Sequence, residues 1–317
     1  MHDIKKITQL TGHTGAIYAI TPAESPNQIF SAGGDGWIVH WDLENPDTGK
    51  LVAKTEVGIF SLLYIPEINT IIAGDLNGGV HWIPLTQPQL AKHIGHHRKG
   101  VFDIQKIGDS IFTIGGDGFI TKWSLDQQRS IESLQLSGQS LRSLDFNPET
   151  GALTIGASDG YIYILDIRLN LIAKFQNAHA KSVFTVRHSP QLPQLWSGGR
   201  DAILKIWQEK TDTLDLISTQ PAHLYTINHI AFHPNGSLAA TASRDRTIKI
   251  WDTQTGELLK VLNAARNGGH LNSVNRLLWL QYKNYLISAS DDRTMIVWQP
   301  NSERYSEPQI NGVFTDI

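Results

Sequence analysis

The residues that first suggest chemistry are a histidine, a hydroxyl, an aspartate and a tryptophan at fixed distances: His223, Thr241, Asp245 and Trp251. A histidine set between a hydroxyl and a carboxylate is the arrangement that activates a nucleophile for acyl transfer. The same four types recur as His13, Ser31, Asp35 and Trp41, as His179, Ser197, Asp201 and Trp207, and as His270, Ser288, Asp292 and Trp298. Histidine and tryptophan stand 28 residues apart in every copy. A catalytic centre needs one hydroxyl in one distinct environment. Four copies at one spacing read instead as a structural hydrogen-bonded network, since buried polar groups need partners. No residue takes a catalytic role in this reading, and the chain is expected not to be an enzyme.

Three further constellations imitate sites. Gly33-Gly-Asp-Gly36 and Gly115-Gly-Asp-Gly118 look like phosphate cradles. Such cradles open a helix, whereas these run into Trp37-Ile-Val-His-Trp and Phe119-Ile-Thr-Lys-Trp, which alternate like strands, so hairpin turns are expected. His93, His96 and His97 lie beside Lys92, Arg98 and Lys99. With no helical pattern around His93-x-x-x-His97 and no nearby carboxylate, they read as a loop cluster, and neither metal nor cofactor is expected. Asp291-Asp292 reads as a doubled turn position. The absence of cysteine excludes disulfides, thiolate metal sites and a cysteine nucleophile.

The elements that must carry these residues repeat. Thr241 to Asp252 reads as a short strand, a tight turn at Asp245 and a second strand. Related segments end at Trp41, Trp82, Trp123, Leu165, Trp207, Trp251 and Trp298, at spacings of 41 to 47 residues. A period of about 40–45 residues with four short strands per unit is that of a β-propeller blade. Between these anchors there are short alternating runs broken by Gly, Pro, Asn and Asp, and no ten-residue helical periodicity. A second marker precedes the anchors: Gly12-His13, His97, Ala178-His179, Ala222-His223 and Gly269-His270 each lead into a strand four residues on.

These motifs resemble the tryptophan-aspartate (WD) repeat family over roughly residues 4–300. The resemblance implies an all-β, seven-bladed propeller of four-stranded antiparallel blades. It also implies that Ile4 to Leu10 closes the ring by completing the last blade. Residues 1–300 then form one domain, and the tail 301–317 matches no repeat. Repeat 2 departs from the pattern, with no histidine and with Asp75 seven residues before Trp82 instead of six. Repeat 4 has Leu165 for tryptophan and Ile155 for the hydroxyl. Both blades are expected to have lost the polar network and to rely on apolar packing.

Formal charge is −3 and the pI about 6.5, which disfavours nucleic acid and anionic membrane as partners. No secretory signal and no membrane-length apolar run is present in the sequence read, so a soluble, cytoplasmic protein is expected. In the family resembled, peptides bind the face around the channel, through residues flanking the first apolar position of each innermost strand and the residue before the turn aspartate. Carried over, this gives one ring of Tyr18, Phe60, Phe102, Arg142, Phe184, Asn228 and Asn275. A second ring is Gly34, Asp75, Gly116, Ser158, Arg200, Arg244 and Asp291. An aromatic sector beside a basic one suits a partner segment with an apolar anchor and an acidic or phosphorylated group. Two alternatives are a propeller enzyme (hydrolase or isomerase) at the channel mouth, with Asp75 as its displaced carboxylate, and nucleic-acid binding through Arg142, Arg200 and Arg244 with stacking on Phe184.

Overall fold

The computed structural model describes residues 3–210 and 212–300; the tail set apart above, 301–317, lies outside the described residues. Seven four-stranded antiparallel sheets follow one another along the chain. Their first strands, among them Ile17–Pro22, Ile59–Ile65, Val101–Ile107 and Leu141–Asn147, touch in sequence around the ring and form its inner wall. Ile4–Leu10 pairs antiparallel with Met295–Pro300, from Ile4 opposite Pro300 to Leu10 opposite Met295, so chain start and last repeat share a blade. That closure leaves no open edge between first and last blades.

Each apolar cluster lies between two blades, because side chains alternate across a strand and both faces of each sheet are covered. Val39 and Trp41 face the last blade, packing near Ile287 and Met295, while Ile38 faces the second blade beside Ile59 and Ile71. Second strands, such as Leu238–Ser243 and Ala152–Ala157, are buried along their whole length and carry small residues where sheets crowd near the axis. Outer strands such as Arg129–Gln135 are mostly exposed. The residue after each turn aspartate is left-handed: Gly36 at φ 71°, Gly118 at 85° and Gly160 at 85°, but also Ala202 at 64°, Arg246 at 72° and Arg293 at 70°. Glycine accepts that conformation freely, and the three other side chains are held there by the turn.

The second blade corrects the sequence reading. Ile83 lies opposite Ile71 as Trp41 lies opposite Ile29, so Ile83, not Trp82, occupies the anchor position. Trp82 takes the place of His40 and points the other way, into the cluster with Trp123 and Val101. Its indole nitrogen is buried without a hydrogen-bond partner. The turn aspartate is likewise replaced by Asn77, followed by left-handed Gly78 at φ 99°. Polar networks persist in both degraded blades. In the fourth, Ser137 Oγ donates to Asp159 Oδ2 at 2.6 Å and the Tyr163 hydroxyl to the same oxygen at 2.7 Å. In the second, Asp75 is buried against His81.

Candidate functional site

Hydrogen-bond directions decide whether the repeated His/Ser/Asp/Trp sets can react. Tryptophan Nε1 is only a donor, and it reaches the hydroxyl oxygen at 2.8 Å in Trp41–Ser31 and Trp207–Ser197, 3.0 Å in Trp251–Thr241 and 2.9 Å in Trp298–Ser288. The hydroxyl then gives its one proton to histidine Nε2, at 2.8 Å in His13–Ser31 and 2.7 Å in His223–Thr241. That leaves histidine Nδ1–H to donate to aspartate, at 2.9 Å in His13–Asp35 and 2.8 Å in His270–Asp292. Ser31, Ser197, Thr241 and Ser288 are each 0% exposed, so the oxygen that would attack is capped by an indole and unreachable. The third blade holds the same set as His97, Thr113, Asp117 and Trp123. It escaped the sequence reading because His97 stands 26 residues before Trp123.

Burial pulls His13, His97 and His223 below the ordinary imidazole pKa, against the pull of their aspartates. Burial alone would raise Asp35, Asp201 and Asp245, but the histidine and the backbone N–H groups outweigh it and hold them below the usual carboxylate range.

The surface ring is assembled by one hydrogen bond repeated in every blade. The residue before the turn position donates its N–H to the loop leading into the innermost strand, as in Gly34 to Ala16 at 2.8 Å, Arg200 to Ser182 at 2.9 Å and Arg244 to Thr226 at 3.0 Å. In the second blade the donor is Leu76, to Gly58 at 2.9 Å. Leu76 therefore holds the rim position assigned to Asp75, which lies one residue inward and is 1% exposed.

Within this rim, five residues from five consecutive blades form one stack. Tyr18 and Phe60 ring centroids are 5.1 Å apart, and Phe60 and Phe102 are 5.4 Å apart. The Arg142 guanidinium sits 4.5 Å from the Phe102 centroid and 5.0 Å from that of Phe184. Sequence placed Arg142 in a separate basic sector; it is the rung joining two aromatics. Its Nε donates to Ser158 Oγ at 2.9 Å. Burial, and then the charge of Arg200, pull its pKa below the ordinary guanidinium value, so these two cations are neighbours. Among the described residues no carboxylate pairs with Arg142, Arg200 or Arg244.

The other ring members are tied down. Asn228 Nδ2 donates to Val274 O at 2.8 Å, and Asn275 Nδ2 donates to Ile17 O at 3.0 Å and Asp291 Oδ1 at 2.7 Å. The bonds to Val274 and Ile17 stitch blade to blade, and the bond to Asp291 stays within the seventh blade. Gly116 is buried. The exposed apolar residues Leu224, Tyr225 and Leu271, in loops entering the sixth and seventh innermost strands, had gone unnoticed. For Leu224 and Leu271 the signal is an apolar residue directly after the Ala-His or Gly-His marker. Also unforeseen is a bridge across the channel: Asp103 Oδ1 meets Arg276 Nη2 at 3.0 Å and its Oδ2 meets Arg187 Nη2 at 3.4 Å, joining the third blade to the seventh and fifth.

The family model described as "WD domain, G-beta repeat" matches residues 4–42, 214–252 and 256–299. The solved WD40 β-propeller domain of Doa1 superposes with a TM-score of 0.83 over 97% of this chain and 100% of that one, at 17% identity. The chain carries WD repeats in the three matched segments and folds as a seven-bladed β-propeller. Sequence relatives include a guanine nucleotide-binding protein subunit beta of Solanum tuberosum, 22% identical over 87% of this chain and 68% of that protein. Protein tipD of Dictyostelium discoideum is 25% identical over 91% of this chain and 48% of its own length. A striatin homolog of Dictyostelium discoideum is 25% identical over 78% and 35%. This WD-repeat chain thus spans from about two thirds to about one third of these relatives. Among its described residues no helix is long and apolar enough to cross a membrane.

Proposed function

We propose that this propeller is a non-catalytic interaction scaffold whose channel-mouth face binds a protein segment bearing an apolar anchor and an acidic or phosphorylated group. The observation that carries the reading is the stack from Tyr18 to Phe184 with Arg142 inside it and Arg200 beside it, both lacking a carboxylate. Aromatic faces and arginines are the groups that dominate binding hot spots. A guanidinium fixed between two rings is oriented before a partner arrives, which lowers the ordering cost of binding. Two adjacent cations without a counter-ion favour an incoming carboxylate or phosphate. A relative named as a subunit of a guanine nucleotide-binding protein is, by that name, part of an assembly, in keeping with this reading.

The enzyme alternative loses its nominated carboxylate, since Asp75 is buried in the second blade away from the rim. Base stacking on Phe184 would have to compete with Arg142.

The test is an array of peptides pairing a large apolar residue with glutamate or phosphoserine, probed with wild type and with the exposed double variant Arg200→Glu/Arg244→Glu. Selective binding that the variant loses, with an unchanged circular dichroism spectrum, is expected. Binding that survives the charge reversal refutes the proposed face.

A further inference from the structure

We propose that Asp75, His81 and His93 form a binding site for a borderline divalent cation such as Zn²⁺ on the second blade. Asp75 ends the second strand, Thr70–Asp75; His81 lies in the third, Gly79–Pro84; and His93, in the outer strand Lys92–Gly95, is directly opposite His81. The carboxylate that sequence could not supply to the histidine cluster therefore comes from an earlier strand of the same sheet. His96 and His97 instead turn to the third blade, His96 to Thr121 and His97 to Asp117.

The carboxylate is held for the purpose. Oδ1 accepts the N–H groups of Asn77 and Gly79, both at 2.8 Å, which fixes the plane of a side chain that is 1% exposed. Oδ2 is left facing His81 Nε2 at 2.8 Å and His93 Nε2 at 3.5 Å. All three donor atoms lie within 4.8 Å of one another. Zinc bonds of about 2.0–2.1 Å in tetrahedral geometry require donors about 3.3–3.4 Å apart. The Asp75–His93 spacing already meets this, and His81 need retreat only by about 0.5 Å on the same bond lengths. Two imidazoles and a carboxylate are a donor set for zinc and its neighbours, not for calcium or magnesium.

In the metal-free protein His81 Nε2–H donates to Asp75 Oδ2, so cation binding must displace that proton from Nε2, to Nδ1 or to solvent.

Gly79 adds an independent sign. A Cβ there would lie 2.2 Å from His93 Nε2 and 2.4 Å from Asp75 Oδ2, so only glycine lets the outer-strand histidine approach the carboxylate. The other side of the cluster is open, as the His93 side chain is 58% exposed, leaving room for water as a fourth ligand.

The test titrates the metal-stripped full chain with Co²⁺, whose visible bands report coordination number, followed by displacement with Zn²⁺. One tight equivalent with the strong absorption of a four-coordinate ion is expected in wild type. His93→Gln, an exposed change that leaves the fold intact by circular dichroism, should weaken it about 100-fold or more, since even loss of a ligand's supporting group costs 10–100-fold. His96→Gln should leave binding unchanged. No saturable equivalent in wild type, or equal affinity in His93→Gln, would overturn the assignment and leave His81–Asp75 as a plain hydrogen bond.

Discussion

Replacing Thr241 by valine should destabilise the protein by about 2–4 kcal/mol while preserving side-chain shape. The hydroxyl is fully buried, accepts Trp251 Nε1–H at 3.0 Å and bonds His223 Nε2 at 2.7 Å. Valine fills the same space and leaves both groups without a partner. Each orphaned buried polar group costs about 1–3 kcal/mol, so the two together cost about 2–6 kcal/mol, and partial relaxation brings the sum toward the lower half of the latter range. Against a total stability of about 5–15 kcal/mol this is a large fraction, readable as a lower midpoint in urea with unchanged slope. The decisive comparison is a double-mutant cycle with Trp251→Phe, which removes the orphaned indole donor. If the argument holds, the double variant loses less than the sum of the two single losses. A Thr241→Val cost below about 0.5 kcal/mol, or strict additivity with Trp251→Phe, would refute the account of Thr241 as a shared scaffold partner.

Trp82→Phe should cost at most about 1 kcal/mol, because it also removes a buried N–H that has no partner. Trp41→Phe, which breaks the 2.8 Å bond to Ser31, should cost clearly more, and equal losses in urea unfolding would contradict the reading of the second blade. Stability should be flat above about pH 7 and fall as pH drops through about 6.5, because unfolding frees His13, His97, His223 and His229 to take up protons that burial denies them. A second fall near pH 4 follows from carboxylates held low in the fold, such as Asp35 and Asp103, which the unfolded chain protonates more readily. Urea midpoints measured from pH 8 to 4 check both, and a midpoint constant between pH 7 and 5 would count against the buried histidines.

Much was legible in one dimension because a blade is a local object. Histidine, hydroxyl, aspartate and tryptophan meet inside one repeat, so their spacing along the chain is set by the hairpins joining its strands, and repetition alone marked them as scaffold. The family's binding pattern, carried over on the same spacing, put Tyr18, Phe60 and Phe102 on one rim. It failed where a residue slipped by one. Side chains alternate with a period of two, so the shift in the second blade turned Trp82 to the opposite face and drew Asp75 from rim to interior. Spacing to a tryptophan could not reveal that the tryptophan itself had moved.

The sequence by itself determined the repeat and its period, and through the family resemblance those repeats carry, the blade count and the closing strand. The repeat rests on contacts between residues near in the chain. Tertiary structure alone decided what lies between blades and across strands. It set Arg142 between Phe102 and Phe184 and joined Asp103 to Arg187 and Arg276 across the channel. It also brought His93 to Asp75. Those contacts depend on ring closure and strand register, which the packing of whole sheets fixes and which leave no spacing in the chain to read.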